Sequence, residues 1–272
     1  SRIPCFPAAN IPAEDAWRLI SNRLVEWLNT LAQPEALDIQ AQFYLLCKQY
    51  VDLITSLSIF SGHYRSTYHE RAAAVPEMSN WLSRNLPDLL EWGLTEASSI
   101  ATGFKLRPQD EAYAGLWGAR EADLHIRLES LGWGWLHDRL PAMMMTAWRW
   151  ELSAMSGGPV RSTEDALRAL RTVYGWKEHV RAWGRLLARP ALRSGARFLP
   201  RMAYLFPLGT PRSLVYVCAQ QLLEDHAESN RGRLRWVKRH LPAAFGEAGE
   251  SWNNLASQCV KNWERFLRTA RT

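Results

Sequence analysis

Residues 162–190 read STEDALRALRTVYGWKEHVRAWGRLLARP, and this stretch decides the fold class. Ser162 followed by Asp165 has the spacing of a capping box, in which each side chain bonds the backbone N–H of the other residue. Apolar residues then recur every three or four positions, which is the spacing that forms one face of an α-helix. Pro190 cannot continue a helix and so marks its end. We therefore predict one long amphipathic helix in this stretch.

The same helical periodicity extends over most of the chain, whereas the alternation typical of strands is nearly absent. Pro12 opens a first helix, Thr210 and Pro211 have the residue types of an N-cap and a first helical position, and a last helix begins near Ser251. We predict an all-α fold, a compact bundle-like array of roughly ten helices.

The sequence Ser156-Gly157-Gly158-Pro159 combines flexible and rigid turn residues between two periodic segments. It predicts a boundary between an N-terminal helical subdomain, residues 1–156, and a C-terminal helical subdomain, residues 160–272. The two subdomains can also pack as one domain, because 272 residues with 47% hydrophobic content suffice for a single large core.

The composition also argues against several locations and cofactors. The first residues lack the apolar run of a signal peptide. The most apolar stretch, 202–223, is interrupted by Pro207, Gly209, Pro211 and Arg212, which would leave backbone groups unsatisfied in lipid. The cysteines are too scattered for a zinc cluster or a disulfide framework, so we expect no metal, no cofactor and a cytoplasmic location. They are Cys5, Cys47, Cys218 and Cys259.

Charge divides the chain unevenly. Residues 1–150 carry a net charge of −4 and residues 151–272 a net charge of +10. In the second half, cations recur at every fourth position from 177 to 201, and a second group surrounds Trp236. The first series is Lys177, Arg181, Arg185, Arg189, Arg193, Arg197 and Arg201; the second group is Arg231, Arg233, Arg235, Lys238 and Arg239.

A helical wheel separates these cations from the apolar residues. With Trp176 at zero, Val180, Trp183 and Leu187 fall within about 40° of it, whereas residues 177, 181, 185 and 189 fall between about 100° and 220°. We therefore predict that Trp176, Val180 and Trp183 are core and that the cations form an outward ridge. Pro190 requires the ridge to continue through residues 193–201 on a second element.

A cationic ridge suits a nucleic acid, because each phosphate contact releases a counterion and Arg offers a bidentate fork. We expect a non-catalytic nucleic-acid-binding subunit of a larger complex, without a choice between DNA and RNA. The alternative is an adaptor that docks a protein partner. The contact surface would be the basic surface, for an acidic partner, or an aromatic surface around Trp133, Trp135, Trp148 and Trp150. A solvated surface helix gives the same pattern, and a membrane-surface helix is disfavoured because its apolar residues serve as core.

Catalytic motifs are poor, so we predict no catalytic residues. Two strings, Arg120 to His125 and Arg235 to His240, resemble the Arg and His pair of HEPN-type helical ribonucleases. That resemblance implies a His as general acid or base and an Arg that stabilises the phosphorane. Trp236, which follows Arg235, departs from the family pattern, and we place this enzyme third among the alternatives.

Overall fold

The computed structural model describes residues 10–107, 116, 121–188, 198–226, 230–243 and 250–268. Over these residues the chain is all-α, as predicted, with thirteen α-helices and no β-strand. Two short 3-10 helices, Pro34–Ala36 and Pro76–Met78, lie between α-helices of the first half.

The helices of the first half come in long and short forms. They are α1 (Ala13–Ala32), α2 (Ile39–Phe60), α3 (Tyr68–Ala73), α4 (Ser79–Asn85), α5 (Pro87–Glu91), α6 (Leu94–Leu106), α7 (Glu121–Ser130) and α8 (Trp133–Ser156). Those of the second half are α9 (Thr163–Leu187), α10 (Phe198–Leu205), α11 (Pro211–Asp225), α12 (Arg231–His240) and α13 (Trp252–Arg268).

The local signals at the starts of α9 and α11 act as predicted. Ser162 and Asp165 form a reciprocal capping box, and the Thr210 side chain accepts a hydrogen bond from the Ser213 N–H at 3.1 Å. A second capping box, Thr67 with Glu70, opens α3 within a stretch that the periodicity alone does not assign to a helix. These caps satisfy N–H groups that the first helical turn leaves without partners.

The contacts divide the chain into two units. Unit 1 consists of residues 1–23 and 35–151, and unit 2 of residues 24–34 and 152–272. In unit 1, α2 packs against α3 and α6. The Trp17 and Trp148 rings lie 5.6 Å apart, and the Trp148 Nε1–H donates to Ser21 Oγ at 2.9 Å. The buried Trp148 indole is therefore part of this core with its N–H hydrogen-bonded.

Unit 2 is organised around α11, in which every residue except Arg212 and Glu224 is buried. Helices α9, α12 and α13 pack around it. Two side chains of α13 bond backbone that is distant in sequence: Trp252 Nε1–H donates to the Leu222 carbonyl of α11 at 2.7 Å, and Asn262 bonds both the N–H and the carbonyl of Ala243. A helix covered on nearly all sides fixes the positions of the helices that carry the basic residues.

The cysteines within the described ranges, Cys47, Cys218 and Cys259, are buried and unbridged, and burial raises the pKa of each thiol. Cys5 lies outside the described residues. No helix in the described part of the chain has the length and apolar content needed to cross a bilayer.

Glu151 is an unusual component of the unit 1 core because its carboxyl group is fully buried. Ser56 Oγ donates to Glu151 Oε1 at 2.6 Å, and Oε2 has no hydrogen-bond partner among the described residues. Burial raises the pKa of Glu151 to about 8, so the carboxyl stays protonated at neutral pH.

This raised pKa predicts that folding stability falls as pH rises. Below the ordinary pKa of 4.5 the group is neutral in both states, whereas between 4.5 and about 8 only the unfolded state loses the proton. Unfolding releases that proton and becomes easier with rising pH. A Glu151→Gln variant stays neutral in both states. The unfolding free energy of the variant minus that of the parent should therefore rise by on the order of 3 kcal/mol from pH 5 to pH 8. Urea unfolding of both proteins at these two pH values checks this, and a constant difference would contradict it.

Candidate functional site

The helix that carries Lys177, Arg181 and Arg185 of the first series contains a break at Gly175. Its backbone angles are φ 61° and ψ 166°, although the helix resumes immediately afterwards. A positive φ is open to glycine because it lacks a Cβ atom. Helix α9 therefore consists of two segments, 163–174 and 176–187, and the rotation of the second is not dictated by the first.

Three side chains of the second segment face the core of unit 2: His179, Trp183 and Leu186. The Trp183 Nε1–H donates to the Gly209 carbonyl at 2.9 Å, and the Phe206 ring packs against both Trp183 and His179. On the helical wheel these three residues span about 60°. The buried direction of this segment is therefore defined by one indole hydrogen bond and its aromatic neighbours.

The prediction that Trp176 and Val180 are core is wrong. Trp176 is 72% exposed and Val180 is 47% exposed. The wheel was centred on the apolar residues, but the observed buried direction is rotated by about 60° from Trp176, because His179 and Leu186 occupy it. The argument against a membrane-surface helix, which required Trp176 and Val180 to be core, fails with it.

Lys177, Arg181 and Arg185 are exposed on this segment, and we call them the cationic flank. The Glu178 carboxylate lies 3.9 Å from the Arg181 guanidinium and 3.6 Å from that of Arg185. One carboxylate is thus shared by two cations, and Lys177 lies one position before it in the sequence. Pairs this exposed are worth about 0 to 1 kcal/mol each and are easily exchanged for another anion.

The continuation of the ridge differs from the prediction in the part that is described. Arg201 is half-buried, and its guanidinium donates to the Leu241 carbonyl at 2.8 Å and to the Lys238 carbonyl. Burial lowers its pKa from the ordinary value. A cation at the C-terminal carbonyls of α12 satisfies groups that the helix leaves open. Arg201 therefore has a structural role, while Arg189, Arg193 and Arg197 lie outside the described residues.

The second group of cations lies on α12. Arg231, Arg235 and Arg239 are exposed, and Arg233 and Lys238 are half-buried. The Glu250 carboxylate lies 3.6 Å from Arg235 Nε and 3.4 Å from Lys238 Nζ, so one acid again neutralises part of two cations. The Arg239 guanidinium lies over the Tyr204 ring at 4.4 Å.

Trp236 does not form an exposed aromatic centre for this group. Its ring stacks on that of His240 at 3.8 Å between centroids, with an interplanar angle of 13°. His240 is itself buried.

A groove of about 270 Å³ opens between the second segment of α9 and the chain that follows α10. The Arg171 guanidinium donates to the Pro207 carbonyl at 3.2 Å and so ties one rim to the other. Trp176, Val180 and Phe206 supply the exposed apolar part of the groove's lining. The groove is lined by Arg171, Trp176, His179, Val180, Phe206 and Pro207.

His179 is a lining residue of this groove, and its Nε2 is shielded from solvent. The residue is 7% exposed, and its Nε2 makes no hydrogen bond with the described residues. Burial lowers its pKa, against the opposite effect of the nearby backbone of Gly209 and Gly175. The ring is therefore neutral at neutral pH, so one nitrogen carries a proton and the other accepts.

Sequence reasoning did not find Arg171, His179, Phe206 or Pro207 as site residues. Arg171 is one of many arginines, and Phe206 and Pro207 follow the periodic part of α10. Their meeting with Trp176 results from tertiary packing, for which a single sequence carries no local signal.

Of the four indoles expected at an adaptor surface, one is fully buried and three are half-buried. Trp148 is fully buried, which makes that part of the expectation wrong. Trp150 packs edge-on against Phe60 and Trp81. Trp133 and Trp135 are half-buried as well. Among the described residues the most exposed indole is instead Trp176, and Phe206, which lines the same groove, is 37% exposed.

The ribonuclease-like strings find no support in the geometry that is described. His240 bonds the Trp236 carbonyl at 2.7 Å through Nδ1 and the Tyr204 hydroxyl at 3.1 Å through Nε2, and burial lowers its pKa. Both ring nitrogens are therefore engaged. His125 is exposed on α7, and Arg120 lies outside the described residues. The described part of the chain also holds no group of three or more side chains suited to a metal ion.

Comparisons with protein-family models, with curated proteins and with solved structures find no match to this chain.

The assignment of Arg201 to a structural role predicts a loss of stability on its replacement. An Arg201→Gln variant should lose about 1 to 3 kcal/mol of unfolding free energy, because the Lys238 and Leu241 carbonyls at the end of α12 lose a charged donor. The exposed Arg231→Gln variant is the control and should change stability by less than about 0.5 kcal/mol. Urea unfolding measures both, and equal stability of the two variants would contradict the assignment.

Proposed function

We propose that this chain is a non-catalytic module that binds nucleic acid through the cationic flank of α9. The observation that carries the proposal is the exposure of three cations at four-residue spacing directly beside an exposed indole. Phosphates attract the cations, and bases stack on aromatic faces. The same proposal places the chain in the cytoplasm as a subunit of a larger complex, with DNA and RNA both open.

The spacing of the flank suits a phosphate backbone. Eight residues separate Lys177 from Arg185, which corresponds to about 12 Å along a helix. Side chains over such a distance can contact several phosphates, and each contact releases a condensed counterion. Two of the three cations are arginines, whose planar guanidinium binds phosphate in a bidentate manner.

The nearby acids reduce the positive charge without removing it. Glu178 and Glu250 each face two cations, so four cations share two carboxylates. Lys177 and Arg231 are exposed outside these pairs. Because exposed ion pairs contribute little free energy, an incoming phosphate can replace the carboxylate.

The cations of α12 belong to the proposal as a second patch of the same unit. Both groups lie in unit 2, where the surplus of positive charge is concentrated. Of the residues predicted for nucleic-acid binding, we retain Lys177, Arg181, Arg185, Arg231, Arg233, Arg235, Lys238 and Arg239, and we exclude Arg201.

A protein partner is the second candidate, and the apolar groove is the observation that favours it. Trp176, Val180 and Phe206 are exposed together, as expected of an anchor site for an apolar side chain. Binding of this kind depends weakly on salt, whereas phosphate binding weakens steeply as salt rises. Salt dependence therefore separates the two candidates.

Removal of the cationic flank should weaken nucleic-acid binding and flatten its salt dependence. A variant with Lys177, Arg181 and Arg185 changed to Ala should lose at least about tenfold in affinity at low salt. The slope of log K against log salt should fall by about two to three. Fluorescence anisotropy with a labelled oligonucleotide at several salt concentrations measures both.

The matched control changes three exposed cations of unit 1, Arg65, Arg84 and Arg127, to Ala. It has the same net charge as the flank variant. If the control loses as much affinity as the flank variant, binding follows net charge alone and the flank is not the site.

A Glu178→Gln variant should bind nucleic acid more tightly. The substitution releases Arg181 and Arg185 from a shared carboxylate, which competes with phosphate for both cations. Ion pairing worth up to about 1 kcal/mol corresponds to a gain of roughly threefold to fivefold in affinity when it is removed. Glu77→Gln is the control, because Glu77 pairs with Arg65 at 3.3 Å on unit 1. Equal gains by the two variants, or weaker binding by Glu178→Gln, would argue against a contact at the flank.

A further inference from the structure

We propose that the groove beside the cationic flank holds an unpaired base, so that the ligand of this module is a single strand. The inference rests on the proposed function and specifies its substrate class. It is carried by three observations: the exposure of Trp176, the partnerless nitrogen of His179, and the positive charge at the rim.

The first observation concerns the aromatic walls. Trp176 is 72% exposed, whereas the other tryptophans among the described residues are buried or half-buried. Trp176 lines the groove together with Phe206. Stacking of a base on such a side chain contributes about 1 to 3 kcal/mol per base. An exposed indole gains this free energy only when a planar ligand covers it.

The second observation concerns the polar atom in the lining. His179 Nε2 is shielded from water and makes no hydrogen bond with the described residues. Buried polar groups without partners are rare and costly in folded proteins. If the imidazole turns toward the groove, Nε2 can donate to or accept from the edge of a base, and an unpaired base has that edge free.

The third observation is charge complementarity. Arg171 forms one rim of the groove, and Trp176 and Val180 form the other. Lys177 and Arg181 lie within about one helical turn of this second rim. A strand with one base in the groove therefore brings its adjacent phosphates to these cations. The apolar and cationic parts of the site act on neighbouring parts of one nucleotide chain.

A duplex or a bilayer fits the groove less well. Bases in a duplex are stacked and paired, so that entry into a groove requires extrusion at a cost of a few kcal/mol. The lining of the groove includes two polar side chains, His179 and the arginine bound to the Pro207 carbonyl, Arg171. Neither polar group gains a partner from acyl chains.

The test compares ligands that share phosphates and differ in bases. The full chain is titrated with a labelled single-stranded 12-mer, with an abasic 12-mer of the same backbone, and with the matched duplex. We expect the base-bearing strand to bind about tenfold or more tightly than the abasic strand, which corresponds to one stacked base. The salt dependence should be nearly the same for the two strands, because their phosphates are the same.

Trp176→Ala should lower the affinity for the base-bearing strand to that for the abasic strand and leave abasic binding unchanged. Because Trp176 is largely exposed, the variant should keep the parent's stability. Phe206→Leu, which keeps an apolar wall without a ring, should lose part of the same preference. Ile126→Ala removes an equally exposed apolar side chain, 72% exposed, from unit 1 and should bind like the parent.

Each other outcome overturns a defined part of the account. Equal, salt-sensitive binding of the base-bearing and abasic strands, or preference for the duplex, would overturn the groove inference and leave the proposed function standing. Absence of binding to every oligonucleotide at low salt would overturn both. Trp176-dependent binding to phosphatidylserine vesicles without oligonucleotide binding would assign the site to a membrane surface and overturn both as well.

Discussion

The hydrogen bond from the Trp183 indole to the Gly209 carbonyl fixes the rotation of the second segment of α9. With Trp183 held in the core, His179 and Leu186 follow it inward, because all three lie on one side of the helix. Trp176 and Val180 then face solvent, and the cations follow on the side beyond them. The first segment of α9 begins at its own capping box. The break at Gly175 permits the second segment to rotate independently of it.

The arginines of unit 2 show how one residue type serves two purposes. Arg201 is half-buried and holds the end of α12 through backbone carbonyls. Arg181 and Arg185 are exposed and share Glu178, a weak partner. The hydrogen bonds of Arg201 stabilise the folded chain, whereas the weak pairs of Arg181 and Arg185 leave these cations able to bind an external anion. The contacts of the guanidinium, not the four-residue spacing, distinguish these roles.

Local rules were enough to predict the helices but not the site. The capping box at Ser162 and Asp165 and the N-cap at Thr210 are short-range features that act within one turn, and both predictions are confirmed. The all-α fold follows from the same periodicity and is confirmed over the described residues. The helical wheel failed at Trp176 because it treats apolar character as burial and cannot include a partner such as Gly209, which lies 26 residues beyond Trp183. The hydrogen bonds of Arg201 could not be predicted for the same reason, since its partners lie 37 and 40 residues away.

Photo-crosslinking tests the central claim, that one exposed face of unit 2 contacts nucleic acid, most directly. A single-stranded oligonucleotide with photoactivatable bases is crosslinked to the full chain, and the modified residues are located by mass spectrometry. The account predicts crosslinks concentrated at Trp176 and Phe206 and in the peptides that contain Lys177 to Arg185. Crosslinks confined to unit 1, or spread evenly over exposed aromatic residues such as Tyr44 and Tyr68, would contradict it.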